Sequence, residues 1–271
     1  MASLLMLVSA GVSAQGNMPP PEQGVPSSQM PGVLAQVSFD QRLDARLPLD
    51  APFKDDAGHD VTLGQYFGTK PVVLAFVYYE CPMLCNQVLN GMTSALDVID
   101  ESIGAEYDVV TISFDARETP VQAAAKKAAY LERYKRPGAA AGWHFLTGTE
   151  ASIAAVTKAA GFSFVWDEAS QQFAHGSGIM VATPDGRLSR YFFGIEYAPR
   201  DIEFALIESS NGRIGTLAEK VVLYCYHYDP TAGTYAFDTM RAVRMGGGVT
   251  VVAILGFVVV SLRRERAGAG H

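Results

Sequence analysis

The chain has 271 residues, which is enough for one domain with a full hydrophobic core and shorter segments at its ends. Its formal net charge is -7 and its isoelectric point is near 5.2. An acidic chain of this kind is poorly suited to binding nucleic acid or an anionic lipid surface. We therefore expect no nucleic-acid partner, and a protein or a small ion instead.

The N-terminus has features of an export signal. Residues 4–8 are apolar, and the small residues of 12–14 follow, as they do before a signal-peptide cleavage site. The usual basic start is missing, so an ordinary apolar N-terminus is the alternative. We interpret residues 1–14 as a signal peptide. Residues 15–46 are interpreted as a flexible segment, because their Pro/Gln-rich beginning can bury little apolar surface.

Strand and helix patterns alternate through the middle of the chain. Strands are predicted at residues 61–63, 71–79, 107–114, 143–146, 178–183 and 188–193. Helices are predicted at residues 85–103, 120–134, 149–160 and 202–208. Thr119 is the predicted N-cap of the second helix, and Pro120 its first residue. The alternation predicts an α/β domain, residues 47–228, with a central sheet flanked by helices.

Two cysteines stand where a buried strand is predicted to meet a helix. Cys81 and Cys85 are four residues apart, and residues at this spacing share a helix face with β-carbons about 5–6 Å apart. Both sulfurs can therefore reach one metal ion or each other. A helix N-terminus lowers the pKa of a thiol and so favours the thiolate that redox chemistry and metal binding require.

The residues alone leave several interpretations of this pair open. A redox disulfide Cys81–Cys85 fits the spacing. Two thiolates with one imidazole would favour Cu(I), whereas structural zinc normally takes four ligands. The chain has three cysteines, and the third, Cys225, is remote, which disfavours zinc. An inert buried pair is the remaining alternative.

Three histidines are candidates for a further ligand. His175 lies in a polar, glycine-bearing stretch that is predicted to be a loop, so it is either a ligand or a solvated loop residue. His59 is predicted to lie in a turn, and His144 to pack in a strand.

Four segments, taken in order, resemble the SCO/SenC family of thioredoxin-fold copper proteins. They are residues 73–85 with Cys81-Pro-Met-Leu-Cys85, residues 112–120, residues 143–148 and residues 175–186, which begin at His175. The resemblance covers about residues 47–209. It implies a thioredoxin-like fold, a role in assembly of cytochrome c oxidase, and copper ligands at Cys81, Cys85 and His175.

The chain also departs from the family pattern. Met83 stands where family members often have an acidic residue, and it is predicted either to neighbour copper weakly or to fill an apolar gap. The segment around Asp115 is one residue shorter than usual, and Asp115 either orients the site or only begins a turn. Family members commonly carry an N-terminal membrane anchor, whereas the apolar run of this chain lies near its C-terminus.

Residues 246–262 carry no charge, and three arginines follow them at once. We predict a linker at residues 229–244, a transmembrane helix at residues 245–262 and a cytoplasmic tail at residues 263–271. A buried terminal helix is the alternative. With the signal peptide, this pattern predicts a single-pass protein of a bacterial plasma membrane, with its domain on the periplasmic side.

Cys225 and His227 precede the linker. In an extended segment they would share one face, which suggests a second soft-metal site or a docking strip. Alternatively, the neighbouring tyrosines form an aromatic collar near the membrane, or Cys225 pairs with another chain.

The combined interpretation is a membrane-anchored copper metallochaperone. It would take Cu(I) from an upstream copper donor and deliver it to the binuclear CuA centre of cytochrome c oxidase subunit II. It would be a binding protein rather than an enzyme, and oxidation of Cys81 and Cys85 would release the ion. The alternatives are a thiol-disulfide oxidoreductase that reduces the acceptor cysteines, and a periplasmic copper buffer.

Overall fold

The computed structural model describes residues 36–211, 226–229 and 234–268. The predicted signal peptide, most of the predicted flexible segment, Cys225 and residues 269–271 lie outside these ranges. The described strands are β1 Pro52–Lys54, β2 Asp60–Thr62, β3 Val72–Val77, β4 Asp108–Ser113, β5 Trp143–Leu146, β6 Phe164–Asp167, β7 Gln172–His175, β8 Gly178–Ala182, β9 Leu188–Phe193, β10 Tyr226–Asp229 and β11 Thr234–Phe237. The described helices are α1 Leu84–Leu96, α2 Pro120–Tyr134, α3 Ala139–Gly142, α4 Glu150–Ala159, α5 Pro199–Ser209 and α6 Thr239–Gly268.

A mixed five-stranded sheet forms the centre of the domain, in the order β5-β4-β3-β8-β9. Strands β3, β4 and β5 run parallel, whereas β8 is antiparallel to β3 and β9 is antiparallel to β8. Every residue of β3 is buried, as expected of a central strand that is covered on both faces. The predicted α/β architecture, with helices flanking a central sheet, is confirmed.

Helix α2 begins where the sequence predicted. Thr119 and Gln122 form a capping box, in which the Gln122 side chain accepts a hydrogen bond from the Thr119 amide at 2.7 Å. Pro120 follows at the first helical position, where its missing N–H costs nothing.

Helix α1 is shorter than predicted and ends at Leu96 rather than near residue 103. The Arg136 guanidinium donates hydrogen bonds to the carbonyl oxygens of Leu96, Ile99 and Asp100, at 3.3, 2.7 and 2.9 Å. These carbonyls therefore have a partner without further helical turns.

Residues 36–46 pack on the domain. The Phe39 ring lies 5.4 Å from that of Phe162 and 5.5 Å from that of Phe193, and the Asp40 amide donates to the Gly161 carbonyl at 2.8 Å. The composition of residues 15–46 predicted a flexible segment because the contact depends on a single aromatic side chain, Phe39. The packed domain therefore begins before residue 47, the predicted boundary.

Strands β6 and β7 form a two-stranded hairpin that is separate from the central sheet. The sequence did not predict this hairpin. His175, which was expected in a loop, is the last residue of β7 and pairs with Phe164. The hairpin therefore determines where the candidate third ligand lies.

Strands β10 and β11 form a hairpin that contacts the domain through Tyr235. The ring of Tyr235 lies 5.5 Å from that of Phe204, and its hydroxyl is hydrogen-bonded to Arg190 and Glu208. Helix α6 begins directly afterwards. Most of the described part of the predicted linker is therefore regular structure, because β11 and the first turn of α6 occupy it.

Helix α6 contains a stretch, Val243–Val260, that is long and apolar enough to cross a membrane by length and composition. Its mean hydropathy is 2.1 and none of it is buried in the domain. The Phe257 side chain, for example, is 73% exposed. This exposure contradicts the alternative of a buried terminal helix.

Candidate metal centre

Three predicted residues meet at one edge of the domain. Cys81 follows β3, Cys85 lies in the first turn of α1, and His175 ends β7. Their ligand atoms all lie within 4.8 Å of one another, and the side chains are 4%, 1% and 9% exposed. The fold thus brings together residues 90 positions apart in the chain into a group that could hold a metal ion.

Each of the two sulfur atoms accepts a hydrogen bond from a backbone amide. The Cys85 amide donates to the Cys81 sulfur at 3.3 Å, and the Tyr78 amide donates to the Cys85 sulfur at 3.4 Å. Amide hydrogens stabilise negative charge on sulfur, as they do at many helix N-termini. Both cysteines are free thiols in the structure.

The two thiols have opposite tendencies to ionise. A hydrogen bond from Cys85 lowers the pKa of Cys81 below its ordinary value, and the Cys85 amide and Tyr78 add to this against the effect of burial. Burial raises the pKa of Cys85, and the negative charge of Cys81 raises it further. The pair therefore holds one negative charge readily and resists a second, unless a cation compensates it.

His175 presents its Nε2 atom to the cysteines, at 3.3 Å from the Cys85 sulfur. Its Nδ1 atom lies 2.6 Å from the Gly176 carbonyl oxygen. A carbonyl oxygen can only accept, so Nδ1 carries the proton and donates. This tautomer leaves the lone pair of Nε2 facing the sulfurs, as metal coordination requires.

Glu118 is a residue that sequence reasoning missed. Its buried carboxylate accepts hydrogen bonds from the amides of Tyr79 and Glu80, at 2.7 and 2.8 Å, and from the Ser113 hydroxyl at 2.5 Å. Burial raises its pKa, although these hydrogen bonds oppose the rise. Glu118 fixes the backbone immediately before Cys81. Its place just after β4, which neighbours β3, is the signal that could have identified it.

Asp115 is held by Arg117. The Arg117 guanidinium donates from Nε and Nη2 to the Asp115 carboxylate, at 2.8 and 2.7 Å. The Asp115 carboxylate also accepts from the Arg117 amide at 3.0 Å. These contacts agree with the interpretation of Asp115 as the start of a turn.

Met83, His59 and His144 do not belong to the group of three ligand atoms. Met83 is 61% exposed, so it does not fill an apolar gap. His59 lies in an exposed turn beside Asp55, with Nδ1 3.1 Å from a carboxylate oxygen. His144 lies in β5, and its ring centre is 4.2 Å from that of Tyr66. Burial lowers the pKa of His144 to about 4. For His227 only the strand placement in β10 is described, so the second site with Cys225 stays a prediction.

Two surface cavities formed by described residues, of about 300 and 440 Å³, are not lined by Cys81, Cys85 or His175. The three ligand atoms, which all lie within 4.8 Å of one another, are close enough to hold one metal ion.

The family model described as SCO1/SenC matches residues 44–206, more than half of the chain. The chain belongs to the SCO1/SenC family. The resemblance inferred from the sequence motifs is confirmed. No curated protein matches the chain significantly.

Several solved structures are similar to this chain. A protein of Aquifex aeolicus VF5 matches with a TM-score of 0.55 and 21% identity over 64% of this chain and 96% of its own. Bradyrhizobium japonicum ScoI, solved with copper bound, matches with a TM-score of 0.45 and 22% identity over 63% and 99%. BsSco, described as a member of the Sco family of cytochrome c oxidase assembly proteins, matches with a TM-score of 0.42 and 18% identity over 60% and 91%. The Aquifex aeolicus VF5 structure, whose TM-score exceeds 0.5, confirms the SCO-like thioredoxin fold implied by the resemblance.

Proposed function

We propose that this protein is a copper metallochaperone that binds one Cu(I) ion through Cys81, Cys85 and His175 and delivers it to the CuA centre of cytochrome c oxidase subunit II. The observation that carries the proposal is the buried group of two sulfurs and one Nε2 atom within 4.8 Å. Membership of the SCO1/SenC family, and the copper bound to ScoI of Bradyrhizobium japonicum, support it.

The donor atoms match the ion. Cu(I) is soft and prefers thiolate and imidazole ligands, and it accepts three-coordinate sites more readily than zinc does. On binding, Cys81 contributes its thiolate and Cys85 releases its proton to solvent, so the ion compensates the second negative charge that the empty pair resists. His175 needs no proton loss because its Nε2 lone pair already faces the sulfurs.

Transfer would proceed by ligand exchange. An acceptor thiolate binds the ion as one donor bond breaks, so copper stays Cu(I) and no electron moves. Oxidation of Cys81 and Cys85 to a disulfide would remove both sulfur ligands and release the ion. The two electrons released by the cysteine thiolates would pass to a disulfide of the acceptor, and its two sulfurs would take up protons from solvent to become a dithiol.

The low pKa of the Cys81 thiol specifically favours a second candidate, a thiol-disulfide oxidoreductase. The Cys81 thiolate would attack an acceptor disulfide and expel one acceptor thiolate. Cys85 would then resolve the mixed disulfide and release the second acceptor thiolate. This chemistry needs both cysteines but not His175.

The variant His175→Ala separates the two functions in cells. We expect it to leave CuA unfilled when copper is scarce, with partial rescue by added copper because mass action can load a weakened site. The measurement is CuA content and oxidase activity in membranes, beside wild type and the Cys81→Ser, Cys85→Ser double variant at equal abundance. The matched control is His59→Ala, which removes an exposed histidine. Normal CuA with His175→Ala, and loss of CuA with the double variant, would favour the oxidoreductase.

We further propose that Val243–Val260 spans the plasma membrane, with the domain on the periplasmic side. The arginines at 263, 264 and 266 support this orientation, because basic residues stay on the cytoplasmic side. A reporter fused after residue 271 should be active only if it works in the cytoplasm. Activity of a reporter that requires the periplasm, at the same fusion point, would contradict the orientation.

A further inference from the structure

The hairpin β6–β7 carries His175 and forms a sheet of its own, apart from the central sheet. Isolated two-stranded hairpins are marginally stable in water. Side-chain contacts must therefore hold the hairpin, and with it His175, against the domain.

One set of contacts lies on the inner side, around Phe114. The ring of Phe114 lies 4.7 Å from that of Phe164, 5.6 Å from that of Phe173 and 5.0 Å from the His175 imidazole. Phe173 and His175 are two apart on one strand, so they share a face. A shift of Phe173 would therefore move the imidazole as well.

A second set of contacts lies on the same face of the hairpin, nearer its turn. The Arg117 guanidinium lies 4.7 Å from the centre of the Trp166 ring and 5.4 Å from that of Phe173. Its bidentate bond to Asp115, just after β4, fixes the guanidinium to the domain. Arg117 thus joins the sheet to both strands of the hairpin.

A surface cavity of about 440 Å³ adjoins the hairpin. It is lined by Phe164, Trp166 and Phe173 of the hairpin and by Ile153 and Ala154 of α4. Arg117 lines the same cavity, so its contacts lie where open space borders the hairpin.

We propose that Arg117 is a positioning residue, which clamps Trp166 and Phe173 and so holds His175 over Cys81 and Cys85. The proposal rests on the proposed function for its copper readout. Arg117 itself is exposed and touches none of the three ligands in the contacts described above. Its effect is transmitted through the hairpin.

The test compares Arg117→Gln with wild type in the full chain. We expect its Cu(I) affinity to fall by about tenfold, the scale of one cation–π contact of intermediate strength. Trp166→Leu removes the other half of the clamp and leaves the Asp115–Arg117 pair intact, so it should give a similar loss. Arg133→Gln is the matched control, since Arg133 contacts Asn90 on α1 and not the hairpin.

A double-mutant cycle distinguishes positioning from general destabilisation. In the His175→Ala background, Arg117→Gln should change Cu(I) affinity no further, because the ligand that it positions is gone. An equal loss in both backgrounds would overturn the proposal, and so would an unchanged affinity in Arg117→Gln alone.

A copper-free measurement separates this proposal from the proposed function. In the metal-free protein, Arg117→Gln should speed amide hydrogen exchange of residues 164–175 and leave α1 unchanged. If the hairpin exchanged faster in this variant while the wild-type protein bound no Cu(I), the clamp would stand and the copper function would be refuted. Unchanged exchange of the hairpin would refute the clamp.

Discussion

The Cys81→Ser, Cys85→Ser double variant is expected to bind no Cu(I), whereas the wild-type chain binds one ion per protein. A serine hydroxyl has a far higher pKa than a thiol and is a hard oxygen donor, so of the three proposed ligands the variant keeps only the His175 imidazole. His175→Ala keeps both sulfurs and should weaken binding by at least about 100-fold, more than the loss usually seen when a metal site loses an outer partner.

These values can be measured by anaerobic titration of the full chain in detergent, against a Cu(I) chelator of known affinity. His144→Ala is the matched control, because it removes a partly buried histidine of β5 that packs on Tyr66 and is not one of the proposed ligands. If the double cysteine variant bound as much copper per protein as wild type, the proposed copper function would be refuted. Equal losses in His144→Ala and His175→Ala would point to unfolding rather than to ligation.

The cysteine pair could be predicted from the sequence because its geometry is local. An apolar strand, a short turn and a helix start are all encoded within residues 71–96, and a spacing of four fixes the face. The structure adds the backbone amides that donate to the two sulfurs, and the burial that raises the pKa of Cys85.

His175 could not be placed in the same way. It lies 90 residues from Cys85, and the strands that position it are four residues long and only partly buried. Such strands carry no clear alternation of apolar and polar residues, so their pattern resembles a loop. His175 was identified as a candidate ligand from the resemblance to a family and not from the periodicity of the sequence.

Glu118 shows a different limit. Its sequence neighbours mark it as the end of a turn before α2, where an exposed carboxylate would be ordinary. Its role depends on the parallel pairing of β3 with β4, which brings it beside the amides of Tyr79 and Glu80. Pairing between strands that are distant in the chain is not encoded in the local pattern.

Glu118→Ala is expected to destabilise the domain by about 1–3 kcal/mol, because it leaves the buried Tyr79 amide without its partner, while the Glu80 amide is only partly buried and can turn to water. The effect should be visible as a lower midpoint of urea unfolding of the full chain, followed by near-ultraviolet circular dichroism. Glu132→Ala is the matched control, because it removes an exposed carboxylate from α2. Similar midpoints for Glu118→Ala and Glu132→Ala would show that the Glu118 hydrogen bonds contribute little.

The variant Glu118→Gln tests how the contribution of Glu118 to the stability of the domain changes with pH. Glutamine keeps one accepting oxygen but turns a donor toward the other amide, so Glu118→Gln should destabilise the domain less than Glu118→Ala does.

Burial raises the pKa of the Glu118 carboxyl in the folded state, so the folded wild type holds the carboxyl proton more tightly than the unfolded chain does. The contribution of this proton to wild-type stability is therefore complete at acidic pH and is lost as the pH rises through the raised pKa. The glutamine side chain has no such proton, so the difference in unfolding midpoint between wild type and Glu118→Gln should narrow as the pH rises from acid to neutral. A difference that widens over this range would mean that the hydrogen bonds to the ionised carboxylate outweigh its burial.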